Sequence, residues 1–274
     1  MAPPTVCLTF DFDAVSPWLH VEGRDSPTNR TRGLFGAEVG APRCLDFLAE
    51  RDLPATWFVP GHTIDSFPEV TARVADAHEV GHHGWTHTPP AAYGSRAAER
   101  ADIERGIESV RALTGEPPAG YRSPSWDYSA HTAELLVELG FEYSSSGMAR
   151  DFRPYAHRPD GVADDGTYAT GEPTGLLELP VSWHRDDHPN LAHVGERATR
   201  DGAALAREWC GALDWARKNV EDGLFVLTFH PQVIGREGRL RHLGTFVEHA
   251  RDRGVPFAEA GTVAASVSED GLVD

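Results

Sequence analysis

The sequence predicts an α/β protein built as a closed or nearly closed (β/α) barrel with about seven parallel strands. Three observations lead there. Short apolar runs rich in β-branched and aromatic residues recur along the chain. Segments with helical spacing of apolar residues separate them. The alternation continues over 274 residues, a length that suits one barrel domain. A doubly wound open sheet is the competing architecture.

The first strand is expected at Thr5–Phe12, "TVCLTFDF", which has no breaker. A polar stretch rich in Gly, Pro and Asp follows from Ser16 to Gly40, and then a helical pattern reaches about Arg51. "PATWFVPG" at Pro54–Gly61 reads as a second buried strand closed by Pro-Gly, and Pro68–Ala77 as a helix. Ser95–Leu113 carries the clearest helical stripe: Ile103, Ile107, Val110 and Leu113, with Ser95 as N-cap and Gly115 as stop. "GYRS" at Gly120–Ser123 reads as a short strand and His131–Leu139 as a helix ending at Gly140. Buried strands are expected at Leu176–Trp183 and Leu224–His230. The stripe Leu205, Trp209, Ala212, Ala216 marks a helix between them, and a last helix is expected at Arg239–Arg253. Ser146–Gly175 is dense in Gly, Pro and Asp and reads as a long surface loop near the site. The whole chain, 1–274, is expected to be a single catalytic domain.

Composition narrows the partners. A net charge of −17 argues against nucleic acid or an anionic membrane as the main partner. No apolar run approaches the roughly 18 residues of a membrane span. Met1-Ala2-Pro3-Pro4 leads straight into the first strand, with no basic n-region and no long apolar h-region, so a soluble, cytoplasmic protein is expected. Cys7, Cys44 and Cys210 are far apart and form no CxxC pair, as expected of buried thiols in a reducing compartment.

Candidate chemistry sits at strand ends. Asp11 and Asp13 in "TFDFDA" are two residues apart, which puts two carboxylates on one face, and a cation would relieve their repulsion. In "GHHGWTH" (81–87) the spacing of a helical turn selects His83 and His87, four apart, as the pair able to chelate one ion. His82 belongs to the preceding strand end. Two His and one Asp make a three-ligand site with an open position for water, leaving one Asp over as a base. Arg122 in "GYRSPSW" and His230 in "LTFHP" also stand at strand ends, where a parallel β/α fold gathers polar residues on one rim.

"TFDFDA", "HHGWTH", "GYRSPSW", "LLELPVSW" and "LTFHP", in that order, resemble the motifs of the polysaccharide deacetylase family, carbohydrate esterase family 4. The match runs from about Thr5 to Ala260 and is nearest the intracellular branch. That branch holds peptidoglycan-deacetylase homologues and hydrolases of small amides, ureides and cyclic imides, and these intracellular relatives are often homo-oligomers. The resemblance implies a distorted, TIM-like (β/α) barrel and hydrolysis of a non-peptide C–N bond. It implies Asp11 as catalytic base, Arg122 as the arginine paired with it, and His230 as general acid, with Asp186 or Asp187 orienting it. It implies one divalent metal, usually zinc, on Asp13, His83 and His87. Ser125, Trp126 and Trp183 are the expected substrate contacts, the Ser125 N–H as oxyanion donor and Trp183 as a groove wall. Two departures stand out: Phe12 separates aspartates that are commonly adjacent, and Gly84 follows His83 where Ser or Thr is common. The expected substrate is an N-acetyl sugar or glycan, or alternatively a small cyclic imide or ureide. A non-catalytic homologue would be expected to lack the acid or the base, and both Asp11 and His230 are present.

Overall fold

The computed structural model describes residues 2–20, 25–193, 199–236 and 238–267. The described residues contain ten strands: β1 (Thr5–Asp11), β2 (Thr56–Val59), β3 (Glu79–His82), β4 (Gly120–Tyr121), β5 (Tyr143–Ser144), β6 (Tyr155–Ala156), β7 (Asp160–Val162), β8 (Tyr168–Thr170), β9 (Leu177–Glu178) and β10 (Leu224–Phe229). Eight form one sheet in the order β10-β1-β2-β3-β4-β5-β9-β6, and β7 and β8 form a separate hairpin. The seven strands from β10 to β9 pair in parallel, while β6 runs antiparallel to β9. The sheet curls into a distorted barrel. The chain leaving β9 meets the far edge of β10, where Asp186 bridges Thr228 and the Asp187 N–H donates to the Thr228 carbonyl at 3.0 Å.

Residues β1 and β10 are buried almost end to end, which is why they read as continuous apolar runs rather than alternating ones. Phe10 stacks on Trp57 across the β1–β2 pair, with ring centroids 4.5 Å apart, a contact worth about 1 kcal/mol beyond its area. Helix Pro68–Ala77 has the expected bounds. Helix Arg96–Thr114 starts where Ser95 accepts a hydrogen bond from the Ala98 N–H and stops at Gly115, whose φ of +89° is left-handed. Cys7, Cys44 and Cys210 are buried and unpaired. No helix among the described residues is long and apolar enough to cross a membrane.

Three expectations need correction. Ser16–Gly40 is not a structureless polar stretch: its described residues form helices Ser16–His20 and Pro27–Phe35 and a π-helical turn at Gly36–Gly40. Its glycines serve close packing. A Cβ on Gly33 would lie 2.2 Å from the Ala14 carbonyl oxygen, so this insertion is pressed against the end of β1. Ser146–Gly175 contains β6 and the β7–β8 hairpin rather than one loop. Only Leu177–Glu178 of the expected Leu176–Trp183 strand is regular, since Pro180 brings no N–H to a ladder.

Register assembles the site. Phe10 faces Phe229 in the β1–β10 pair, so Asp11 and His230 leave the sheet side by side. His82 faces Tyr121 in the β3–β4 pair, so His83 and Arg122 do the same. All four lie at C-terminal strand ends, on the rim where barrel enzymes gather their chemistry.

Candidate active site

Asp11, Asp13, His83, His87, Ser125, Trp126, Trp183 and His230 line one cavity of about 380 Å³, and Arg122 lies directly behind it. Arg122 is fully buried, which is costly for a cation unless its donors are used. Here Nε and Nη2 donate to the carbonyl and hydroxyl of Ser145, and Nη1 donates to Thr9 Oγ1 and, at 2.8 Å, to Asp11 Oδ1. Asp11 therefore keeps one oxygen tied and turns Oδ2 into the cavity, 4.0 Å from His83 Nε2 and 3.9 Å from His230 Nε2.

Asp13, His83 and His87 form a compact buried trio. Asp13 Oδ1 lies 3.5 Å from His83 Nε2 and 3.4 Å from His87 Nε2, and it is a buried acceptor with no hydrogen-bond partner. His83 Nδ1–H donates to the Arg122 carbonyl at 2.7 Å, which leaves its Nε2 as a bare lone pair facing the trio. Two donors about 2.1 Å from one tetrahedral ion lie about 3.4 Å apart, so the observed spacing and the orphaned carboxylate oxygen fit a divalent cation. Electrostatics agree. Burial pushes the His87 imidazole down to about 4, towards the neutral form a ligand needs. Burial opposes ionisation of Asp13, but His87, His83 and His230 outweigh it and hold the carboxyl below its usual range.

The structure brings His83 and His87 together, but not through the helical turn that the spacing suggested. Residues 83–87 are an irregular loop, not a helical turn. His87 returns to His83 because the chain reverses through left-handed positions at Gly84 (φ +70°) and His87 (φ +59°), bringing the two rings to 4.8 Å. His82 is no ligand. Its Nδ1 accepts the Gly84 N–H and its Nε2–H donates to the Ile103 carbonyl. Asp102, not singled out by sequence, accepts from the N–H groups of Trp85 and Thr86 and from the Thr86 hydroxyl. The N–H groups of Gly61 and His62 bond the Gly84 and Trp85 carbonyls, while Thr63 Oγ1 donates to the Asp13 carbonyl at 2.7 Å. Residues 61–63 thus tie together the two loops that carry the trio. Of six non-glycine residues with positive φ among the described residues, Ala14, His87, Ser125 and Trp126 lie in or beside the site. Backbone strain of roughly 1–3 kcal/mol each collects where placement matters.

His230 is managed differently. Its Nδ1–H donates to Asp187 Oδ1 at 2.8 Å, and its own backbone N–H bonds the same carboxylate. Asp187 is thus the orienting acid; Asp186 stands further off, at 3.5 Å. Burial alone would lower the His230 pKa, but Asp186 and Asp187 outweigh it and raise it well above the usual histidine range. With Nδ1 committed, Nε2 is the atom that carries the exchangeable proton into the cavity. Gln232 is a further residue that sequence reasoning missed: its Nε2 donates to Asp13 Oδ2 at 3.1 Å. It stands two residues after His230 in the same strand-end motif, and that position was its one signal. Trp126 and Trp183 stack with centroids 4.4 Å apart and form an aromatic wall beside Ser125.

A family model described as polysaccharide deacetylase matches residues 2–144. The chain is 36% identical over 256 residues to a peptidoglycan deacetylase of Helicobacter pylori, covering 87% of each. The chain belongs to the polysaccharide deacetylase family. It is a hydrolase of carbon–nitrogen bonds other than peptide bonds. A solved Mycobacterium smegmatis protein assigned to the polysaccharide deacetylases superposes with a TM-score of 0.84 at 34% identity, over 100% of this chain and 96% of that one. A PuuE allantoinase structure superposes at 0.77 with 21% identity, over 96% and 90%, and so shares the fold.

Proposed function

We propose that this family member is a metal-dependent N-deacetylase that removes acetate from an acetamido sugar, free or within a glycan. The observation that carries the reading is the meeting of three unlike devices in one cavity. They are the Asp13–His83–His87 trio, the Asp11 carboxylate held by Arg122, and His230 charged against Asp187. The 36% identity to a peptidoglycan deacetylase favours an acetamide among the possible C–N bonds. A divalent cation, zinc by its nitrogen-rich donor set, would be held by Asp13, His83 and His87 and would supply Lewis-acid polarisation and a more acidic water.

The chain's own residues do the rest. Asp11 takes a proton from the attacking water at Oδ2, while Arg122 holds its other oxygen through a charge-assisted hydrogen bond. The Ser125 N–H donates to the oxyanion that develops at the acetamide carbonyl, a contact worth about 3 kcal/mol. His230 Nε2 passes its proton to the departing nitrogen, so the C–N bond breaks to give acetate and a free amine. Trp126 and Trp183 offer a flat apolar face to a sugar ring.

A second reading is a small-molecule amidohydrolase that opens a cyclic imide or ureide. The lining that Trp18, Asn29 and Arg32 add to one side of the site favours it, because it offers extra contacts to a small ligand. Metal-quantified protein incubated with N-acetylglucosamine oligomers and, separately, with cyclic imides and ureides separates the two. Acetate release from the sugars is expected, reduced about 10²- to 10⁴-fold in Asp11→Asn. Ring opening without acetate release would replace the first reading by the second.

A further inference from the structure

Away from the trio a second cavity of about 220 Å³ adjoins the catalytic one. Trp18, Arg32, His188, His193 and Gln232 line both, so the two are neighbouring chambers with a shared wall. Their charge is opposite in kind. Asp11, Asp13 and Asp186 line the first, whereas no carboxylate among the described residues lines the second. Its charged lining residues are Arg32, Arg236 and Arg239.

In a chain with 42 acidic and 25 basic residues this is a departure from composition. Several surface arginines elsewhere find carboxylates, Arg73, Arg96, Arg100 and Arg111 each having one within 3.3 Å, although Arg43 and Arg251 bond backbone carbonyls instead. Among the described residues, none of Arg32, Arg236 and Arg239 has a carboxylate within 4.0 Å. Each instead gives an N–H to a backbone carbonyl: Arg32 to His193 at 2.9 Å, Arg236 to Gln232 at 3.1 Å and Arg239 to Val233 at 3.1 Å. Arg236 also lies 4.0 Å over the Phe35 ring. These contacts hold the guanidinium groups in place without neutralising them. All three are half-buried, so their mutual repulsion is only partly screened. Guanidinium forks match the paired oxygens of carboxylate and phosphate, and an anion would relieve the repulsion.

We propose that this chamber is an anion subsite that receives a carboxylate or phosphate borne by the substrate, on the far side of the shared wall from the bond to be cut. The inference rests on the deacetylase reading and narrows it to acetamido sugars that carry an acidic substituent. Arg32, which lines both chambers, would sense the acidic group nearest the ring. Arg236 and Arg239, which follow the helical turn Pro231–Ile234, would hold it from the other side.

The test compares one acetamido sugar in three forms: neutral, bearing a carboxylate ether, and bearing a phosphate. The readout is the ratio of kcat/KM for each acidic form to that for the neutral one. Because it is a ratio within one preparation, it does not depend on how much of a variant is folded. Wild type is expected to prefer at least one acidic form by about tenfold or more, and the preferred form tells carboxylate from phosphate. Arg236→Gln and Arg239→Gln should each lower the ratio, and Arg239→Lys should keep part of it. No preference in wild type, or a ratio unmoved in both glutamine variants, overturns the subsite. If no sugar releases acetate, the deacetylase reading fails by itself. The subsite is then judged by titration with inorganic phosphate: binding weakened at least tenfold in both glutamine variants supports it, and equal binding in wild type and variants overturns it.

Discussion

Asp13–His83–His87 and Asp186–Asp187–His230 use the same two residue types, are both buried, and open on the same cavity. They nevertheless differ at the ring nitrogen that faces away from the cavity. In His83 that nitrogen donates to a neutral carbonyl, Arg122 O, which leaves Nε2 facing Asp13 and His87. In His230 it donates to a carboxylate, Asp187, so the ring is held charged and presents a proton. The carboxylates mirror this. Asp13 Oδ1 has no donor and stands 3.4–3.5 Å from two imidazoles, beyond good hydrogen-bond length, whereas Asp187 accepts two hydrogen bonds from one residue. One cluster is short of a cation and the other already contains one. The partner of the remote nitrogen, more than the histidine itself, sets which role is possible.

This contrast can be broken from either side. His83→Ala should have the largest effect, lowering kcat/KM more than about a thousand-fold, as the loss of several kcal/mol of charge stabilisation requires. Asp187→Asn should cost on the order of a hundred-fold in kcat and change its pH profile. The sign follows from the raised His230 pKa. The acid form is active and is lost as pH rises through that pKa, so removing a group that raises it moves the alkaline fall to lower pH. An alkaline limb that stays in place would contradict the assignment of His230 as acid. Asp102→Asn should have the smallest effect. It loosens the 85–86 loop and should weaken metal affinity about tenfold, with the pH profile unmoved.

Much of this contrast was legible in sequence, and the illegible parts have physical causes. β1, β2 and β10 announce themselves because both faces are covered, and helix Arg96–Thr114 because Ser95 and Gly115 punctuate an apolar stripe. β4, β5 and β9, at two residues each, are too short to show a period. The insertion at 16–40 read as loop because its prolines and glycines look like breakers. Yet Pro27 begins a helix capped by Ser26, and Gly33 lets that helix lie against Ala14. Asp11, Asp13, Arg122 and His230 were singled out because each stands at or just beyond a strand end. Asp102 sits within a long helix and gives no such signal; only the folded loop beside it reveals its place. His83 and His87 were paired by helical spacing, although left-handed turns at Gly84 and His87 are what bring them together. Arg236 and Arg239 read as ordinary surface charge until the chamber they line is seen.

The most direct measurement is the metal content of purified wild type, His83→Ala and His230→Ala after identical exposure to zinc and removal of excess. One ion per chain in wild type and in His230→Ala, with none in His83→Ala, is the expected result. Retention in His83→Ala with loss in His230→Ala would reverse the two clusters and contradict the account.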